Sequence, residues 1–382
     1  MDAVGLFAGI GGLEIGLNQA GFTTTLMCEI DPAARQVLNS QFDGVDTVDD
    51  VRKLRALPKG TELVAAGFPC QDLSQAGRTA GITGSRSGLV GEVFRLIKRK
   101  QGPRWLLLEN VPFMLQLDRG AAMHHLTQSL TELGYNWAYR VVDARAFGLP
   151  QRRHRVVLLA SRDEDPRTVL FSGDAQPQTE LRNGDDPCGF YWTEGRTGLG
   201  WAVNGVPTIK SGSTVGIASP PAVWLPGRGI VTLGIKGAEK LQGFPVGWTL
   251  PAVDAGARAG SRWRLVGNAV STRMSKWVGE QLIETHQPYD GQSDLEVAGR
   301  WPMAAWGDKT GSYIAGGVTS LWPEAEPLDP IEKFLEDSAP LSARATAGFL
   351  KRAKAGSLRF APNFLDEVED HLDAMMTTGM TA

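Results

Sequence analysis

Over its first 160 or so residues the chain alternates short apolar runs with helix-like patterns, and this alternation restricts the fold more than anything else in the sequence. "AVGLF" leads into "LEIGLNQA", which stops at Gly21; "TTLMCEI" leads into "PAARQVLNSQF"; "ELVAAGF", "RWLLLEN" and "RVVLLAS" follow. Strands alternating with helices predict an α/β fold with a parallel, doubly wound sheet. Such sheets bind ligands outside the carboxyl ends of their strands. "MCEID", "GFPCQ" and "LLLEN" each stand at the end of an apolar run.

From about residue 163 to 260 the texture changes to Gly, Pro, Trp and Ser, as in "DDPCGFYWTEGRTGLGW". This predicts a smaller, loop-rich, β-containing module over residues 165–260. "LVGNAVSTRMSKWVGEQLIE" then restores an apolar run and an amphipathic helix, so residues 1–164 and 261–284 are expected to form one domain. Residues 285–382 read as a C-terminal extension of unassigned role, with two late amphipathic helices in "LSARATAGFLKRAKAGSL" and "FLDEVEDHLDAMM".

Three cysteines, Cys28, Cys70 and Cys188, are an odd number without metal-ligand spacing, so neither a disulfide framework nor a metal site is expected. A net charge of −3 gives no global electrostatic case for nucleic acid, and any such binding must rest on local patches. No apolar run reaches the roughly 20 residues that span a bilayer, and the start "MDAVGLFAGIGG" lacks a basic leader, so a cytoplasmic protein without membrane contact is expected.

"FAGIGG" (7–12) falls between a strand and a helix, where glycines permit a tight turn and close approach of a ligand to backbone N–H groups. Glu14 stands where the dinucleotide fingerprint needs its last glycine. Glu29 ends the next strand close to the offset of about 20 residues at which an acid meets ribose hydroxyls, which favours a nucleoside-containing cofactor over a plain turn. Cys70 is either a small core hydrophobe or a nucleophile. The polar, Gly-rich stretch behind it, with Arg78 and Arg86, has the composition of a mobile lid. Glu109 is either a salt-bridged strand end or an acid of raised pKa. Arg153 and Arg155, two apart at the head of a strand and so on one face, are either a solvated basic turn or an anion clamp.

In order, "FAGIGG", "EID", "GFPCQDLS", "ENV", "QRRHR", "LQGFP" and "GNAV" make residues 1–284 resemble the DNA cytosine-5 methyltransferase family. The resemblance implies a Rossmann-like sheet dependent on S-adenosylmethionine, a target recognition domain, and double-stranded DNA as partner; separately from the resemblance, the chain is expected to act as a monomer. It implies that Phe7, Gly9, Gly11 and Gly12 form the cofactor turn, that Glu29 meets the ribose and Asp50 of "DDV" the adenine amine, and that Asn268 packs on the methionine part. Cys70 is then the nucleophile, Glu109 the group on the cytosine edge, and Arg153 with Arg155 the orienting pair.

That chemistry adds the Cys70 thiolate to carbon-6 of a flipped-out cytosine, so that carbon-5 can take the methyl group and S-adenosylhomocysteine is left. Lys240 stands where the family carries Arg before "LQGFP". A tRNA cytosine-5 methyltransferase keeps the fold and changes the substrate. A catalytically silent DNA-binding subunit would have no reason to keep Cys70, Glu109, Arg153 and Arg155 together.

Overall fold

β1 (Asp2–Leu6) pairs in parallel with β2 (Thr23–Cys28) on one side and with β4 (Leu63–Ala66) on the other. β3 (Asp46–Val48) lies beyond β2, and β5 (Trp105–Asn110) beyond β4, both parallel. The chain therefore winds outward from β1 through β2 to β3, then resumes on the other side of β1. The carboxyl ends of β1 and β4 flank the point where the winding reverses, which in such sheets opens a crevice. β4 is buried along its whole length, as a parallel strand covered on both faces should be.

The computed structural model describes residues 1–69, 88–98, 102–177, 186–212, 219–291, 294–297 and 299–379. They fall into two compact units, residues 1–147, 154–177 and 269–326 in the first and 148–153, 178–268 and 327–382 in the second.

In the first unit the sheet is mixed, not wholly parallel. β8 (His154–Ser161) runs antiparallel to both β5 and β6 (Asn136–Asp143). The link 144–153 is too short for the crossover that a parallel pair needs. β15 (Ala304–Asp308), β16 (Gly311–Ile314) and β14 (Leu295–Glu296) continue the antiparallel edge beyond β6.

α1 (Gly12–Gln19) follows β1, and α2 (Pro32–Gln41) follows β2, its N-cap Asp31 accepting from Ala33 and Ala34 N–H with Pro32 in the first turn. α3 (Leu89–Ile97) buries Val90, Val93, Leu96 and Ile97 in one core with Val64 and Leu106. α4 (Ala121–Glu132) precedes β6. The returning α5 (Thr272–Ile283) crosses α1 where side chains are small. A Cβ on Gly16 would lie 1.9 Å from Ser275 Oγ, and that hydroxyl donates to Gly12 O at 2.8 Å.

The second unit holds an antiparallel sheet in the order β10 (Ala202–Val203), β9 (Cys188–Phe190), β12 (Ala222–Leu225), β13 (Gly229–Thr232), β17 (Ala339–Pro340). β7 (Gln151–Arg152) pairs in parallel with β11 (Val206–Pro207).

The two late helices, Ala343–Lys354 and Phe364–Thr377, supply part of this unit's core. The Phe364 ring lies 4.9 Å from Trp201 and 5.3 Å from both Phe190 and Trp224, and Phe190 is 5.1 Å from Phe349. Glu367 Oε2 accepts from Trp224 Nε1 at 2.9 Å and from Gly227 N at 2.8 Å. Residues 285–382 are therefore shared between the two units, up to 326 in the first and from 327 in the second, where the sequence reading drew one separate extension. Among the described residues no helix is long and apolar enough to cross a membrane.

Candidate active site

Leaving β1, the chain turns at Phe7, which takes a left-handed conformation (φ 55°) that a bulky residue adopts only under constraint. Ala8 N donates to Cys28 O and Gly11 N to Ala8 O, which fastens the turn to the end of β2. Gly11 is the N-cap of α1 and offers no side-chain cap, so the first N–H groups of the helix are left to other acceptors. Around Gly9 (φ +57°) a Cβ would meet nothing within 4 Å, which makes an open cradle beside backbone.

Glu29 closes this cradle: Oε2 accepts from Gly9 N at 2.8 Å and Oε1 from Asp31 N at 2.7 Å. A carboxylate has about four acceptor sites, so two remain for hydroxyl donors. Next to it Ile30 is 63% exposed, an apolar surface at the strand end that a flat ring could cover. Sequence reasoning passed over Ile30, although an apolar residue directly behind the acid was a usable signal. Asp50 accepts from Arg52 N and is paired with the Arg52 guanidinium at 2.7 Å, and these bonds hold its carboxyl down at about 2. Burial first, then the charges of Glu29 and Asp50, push the Cys28 thiol up to about 12, so it stays a neutral core group.

At the ends of β4 and β5 three motifs meet. Glu109, the penultimate residue of β5, is 7% exposed, and its Oε2 would lie 3.4 Å from a Cβ on Gly67. Arg155, second in β8, donates from Nε to Glu109 Oε1 at 2.7 Å. Burial lowers the pKa of the guanidinium, and Glu109 opposes that shift. The pair is thus a nearly dry ion pair beside Gly67. Asn110 Nδ2 donates to Phe68 O at 2.9 Å and ties the Gly67–Pro69 segment to β5. In the sequence Asn110 stands only as the last residue of the apolar run "LLLEN".

His154 Nε2 lies 3.1 Å from Asp143 Oδ2, and Arg145 pairs with the same oxygen at 2.8 Å. Against burial, these two bonds hold the Asp143 carboxyl down at about 2. Cys70, and the lid expected from Gln71 with Arg78 and Arg86, lie outside the described residues.

Arg153 and Arg155 do not share a strand face. β8 begins at His154, and Arg153 belongs to the second unit, where it is 1% exposed and donates to Ile209 O and Gly267 O at 3.3 and 3.2 Å. The i, i+2 inference failed because the backbone leaves the extended pairing between β7 and β8. In the second unit Gln151 Nε2 donates to Leu241 O and Gln242 Nε2 to Val266 O, which binds "QRRHR", "LQGFP" and the approach to "GNAV" together. Lys240 donates from Nζ to Lys333 O and sits over the Phe334 ring. The buried Glu239 accepts from Gly247 N and Thr249 N, and is paired with Arg262 at 2.8 Å. Asn268 ends the helix Ser261–Asn268 and is exposed.

The family model for C-5 cytosine-specific DNA methylase matches residues 1–186. The Type II methyltransferase M2.BsuMI of Bacillus subtilis (strain 168) is 52% identical over 97% of this chain and 97% of its own length. The Type II methyltransferase M.BsuFI of Bacillus subtilis is 36% identical over 41% of this chain and 38% of its own. The crystal structure of the S. pombe Dnmt2 methyltransferase has the same fold, with a TM-score of 0.54 at 17% identity over 74% of this chain and 98% of that one.

Proposed function

The chain belongs to the family of C-5 cytosine-specific DNA methylases and is a DNA cytosine-5 methyltransferase, and from that premise we propose which of its residues carry the reaction. The observation that supports the reading best is the meeting of the Gly67–Pro69 segment, Glu109 and Arg155 at adjoining strand ends of one unit.

S-adenosylmethionine fits the first turn. The open cradle at Gly9, the uncapped start of α1 and the two spare acceptor sites on Glu29 suit its methionine and ribose parts. Ile30 gives its adenine a flat apolar contact, and Asp50 meets the adenine amine by sharing its carboxylate with Arg52. When bound, it supplies an electrophilic sulfonium methyl.

Cys70 adds as thiolate to carbon-6 of a cytosine turned out of the duplex, because approach to the ring face is blocked in a stacked base. The electron pair moves through the ring and makes carbon-5 nucleophilic. Glu109, protonated when the base is seated, donates to nitrogen-3 and accepts from the exocyclic amine, and Arg155 keeps Glu109 in place and favours charge at the base carbonyl. After carbon-5 has taken the methyl, a base removes its proton and the thiolate of Cys70 leaves. Arg153 acts at one remove, as a positioning residue in the second unit, which reads the recognition sequence.

Methyl transfer to duplex DNA, with bisulfite sequencing of DNA from expressing cells, tests the reading. Conversion-resistant cytosines at one short sequence are expected, and methylation of tRNA with none of DNA would refute it. Glu29→Ala should weaken S-adenosylmethionine binding by about 1–3 kcal/mol, the loss of a charge-assisted hydrogen-bond acceptor. Calorimetry with an unchanged affinity would remove Glu29 from the site.

A further inference from the structure

Glu14 takes no part in the reaction proposed for this chain, yet it lies beneath the turn on which that reaction depends. It stands in the first turn of α1 and is 1% exposed. Its carboxyl is pressed against β1: a Cβ on Gly5 would fall 2.0 Å from Oε1 and 2.7 Å from Cδ, so the group fills the space a side chain at Gly5 would need. Neither carboxyl oxygen has a hydrogen-bond partner.

A buried carboxylate without a partner is strongly disfavoured. Burial first, and the charge of Glu29 in addition, push Glu14 up to about 8; its own backbone N–H offsets this in part, short of hydrogen-bond geometry. The elements packed on α1 bring no cation to it. β4 is apolar, β2 contributes the neutral Cys28, and β1 carries its only acid, Asp2, at the opposite end from the turn. On α5, Lys276 pairs with Glu280 at 2.8 Å and Arg273 donates to Phe147 O.

We propose that Glu14 couples cofactor binding to proton release, giving up its proton to solvent when a cation is seated on the Phe7–Gly12 turn. The proposal rests on the assignment of that turn to S-adenosylmethionine. Its sulfonium carries a positive charge that S-adenosylhomocysteine lacks, so the ionised Glu14 favours the substrate form of the cofactor over the product form. A ligand that prefers the deprotonated protein binds more tightly as pH rises towards the free protein's value, and levels off above it.

Titration calorimetry near pH 7.5, in two buffers of different ionisation enthalpy, tests this with both cofactors on the wild type and on Glu14→Gln. The amide keeps the shape of the carboxyl and cannot ionise. The wild type should release more protons than the variant on binding S-adenosylmethionine, and the two should match with S-adenosylhomocysteine. The cofactor's own ammonium is common to both proteins and cancels in the difference. Wild-type affinity for S-adenosylmethionine should also rise between pH 6.5 and 8.5 relative to the variant, by about tenfold for each unit that the carboxyl pKa falls. Equal proton counts and parallel pH profiles would overturn the coupling. Unchanged S-adenosylmethionine affinity in Glu29→Ala would instead refute the turn as the cofactor site.

Discussion

Replacing Cys70 with alanine should lower methyl transfer by about a thousandfold or more, the scale of loss when a covalent nucleophile is removed. S-adenosylmethionine binding should stay near its wild-type value, because its proposed contacts come from the Phe7–Gly12 turn, Glu29 and Asp50. The neighbouring geometry does not depend on the thiol: Asn110 holds Phe68 O and Arg155 holds Glu109 without it. Duplex DNA carrying 5-fluorocytosine at the target gives the complementary result. Fluorine at carbon-5 leaves no proton to remove, so elimination stops and a one-to-one adduct should survive denaturing electrophoresis and map to the peptide containing Cys70. The adduct should require S-adenosylmethionine and vanish in Cys70→Ser. Retention of a tenth of wild-type turnover in Cys70→Ala, or an adduct mapped to Cys28 or Cys188, would sink the assignment.

Phe364→Ala should destabilise the second unit by about 3–5 kcal/mol, the usual loss for a large aromatic side chain removed from a closed core. Phe364 is fully buried, and its ring meets Phe190, Trp201 and Trp224 edge-on, so truncation leaves a cavity that three rigid rings cannot collapse to fill. Urea unfolding followed by tryptophan fluorescence reads this directly, since Trp201 and Trp224 line the affected core. A loss below about 1 kcal/mol would mean that the C-terminal helices are not part of that core.

What the sequence revealed and what it hid follow from the range of the interactions involved. The glycine turn, Glu29 and the ends of β4 and β5 were legible because a strand-to-helix turn writes its chemistry into a few consecutive residues. The seven motifs in order then pointed to the family to which the chain belongs. The antiparallel sense of β8 was hidden, since a run such as "RVVLLAS" is equally apolar in either direction. The separation of Arg153 from Arg155 was hidden because it depends on where pairing begins, and the hydrogen bonds at Gln151 and His154 decide that. The amphipathic character of Phe364–Thr377 was visible, but its partners, Phe190 and Trp224, lie far away in the chain. Glu14 looked only like a misfit in a glycine pattern. Its significance lies in the space above Gly5, which no local spacing reports.

The second unit is assembled from three separated stretches of chain, 148–153, 178–268 and 327–382. During translation, at about 5–20 residues per second, the strands β9 to β13 leave the ribosome before the helices that carry Phe349 and Phe364. Until those helices arrive, Phe190, Trp201 and Trp224 have no lid and β13 has no β17 beside it, so for seconds the nascent chain presents an aromatic surface and an open sheet edge. Chaperone demand during synthesis should therefore concentrate on this unit, whereas the parallel half of the first unit has its β1–β5 set complete once residue 110 has emerged.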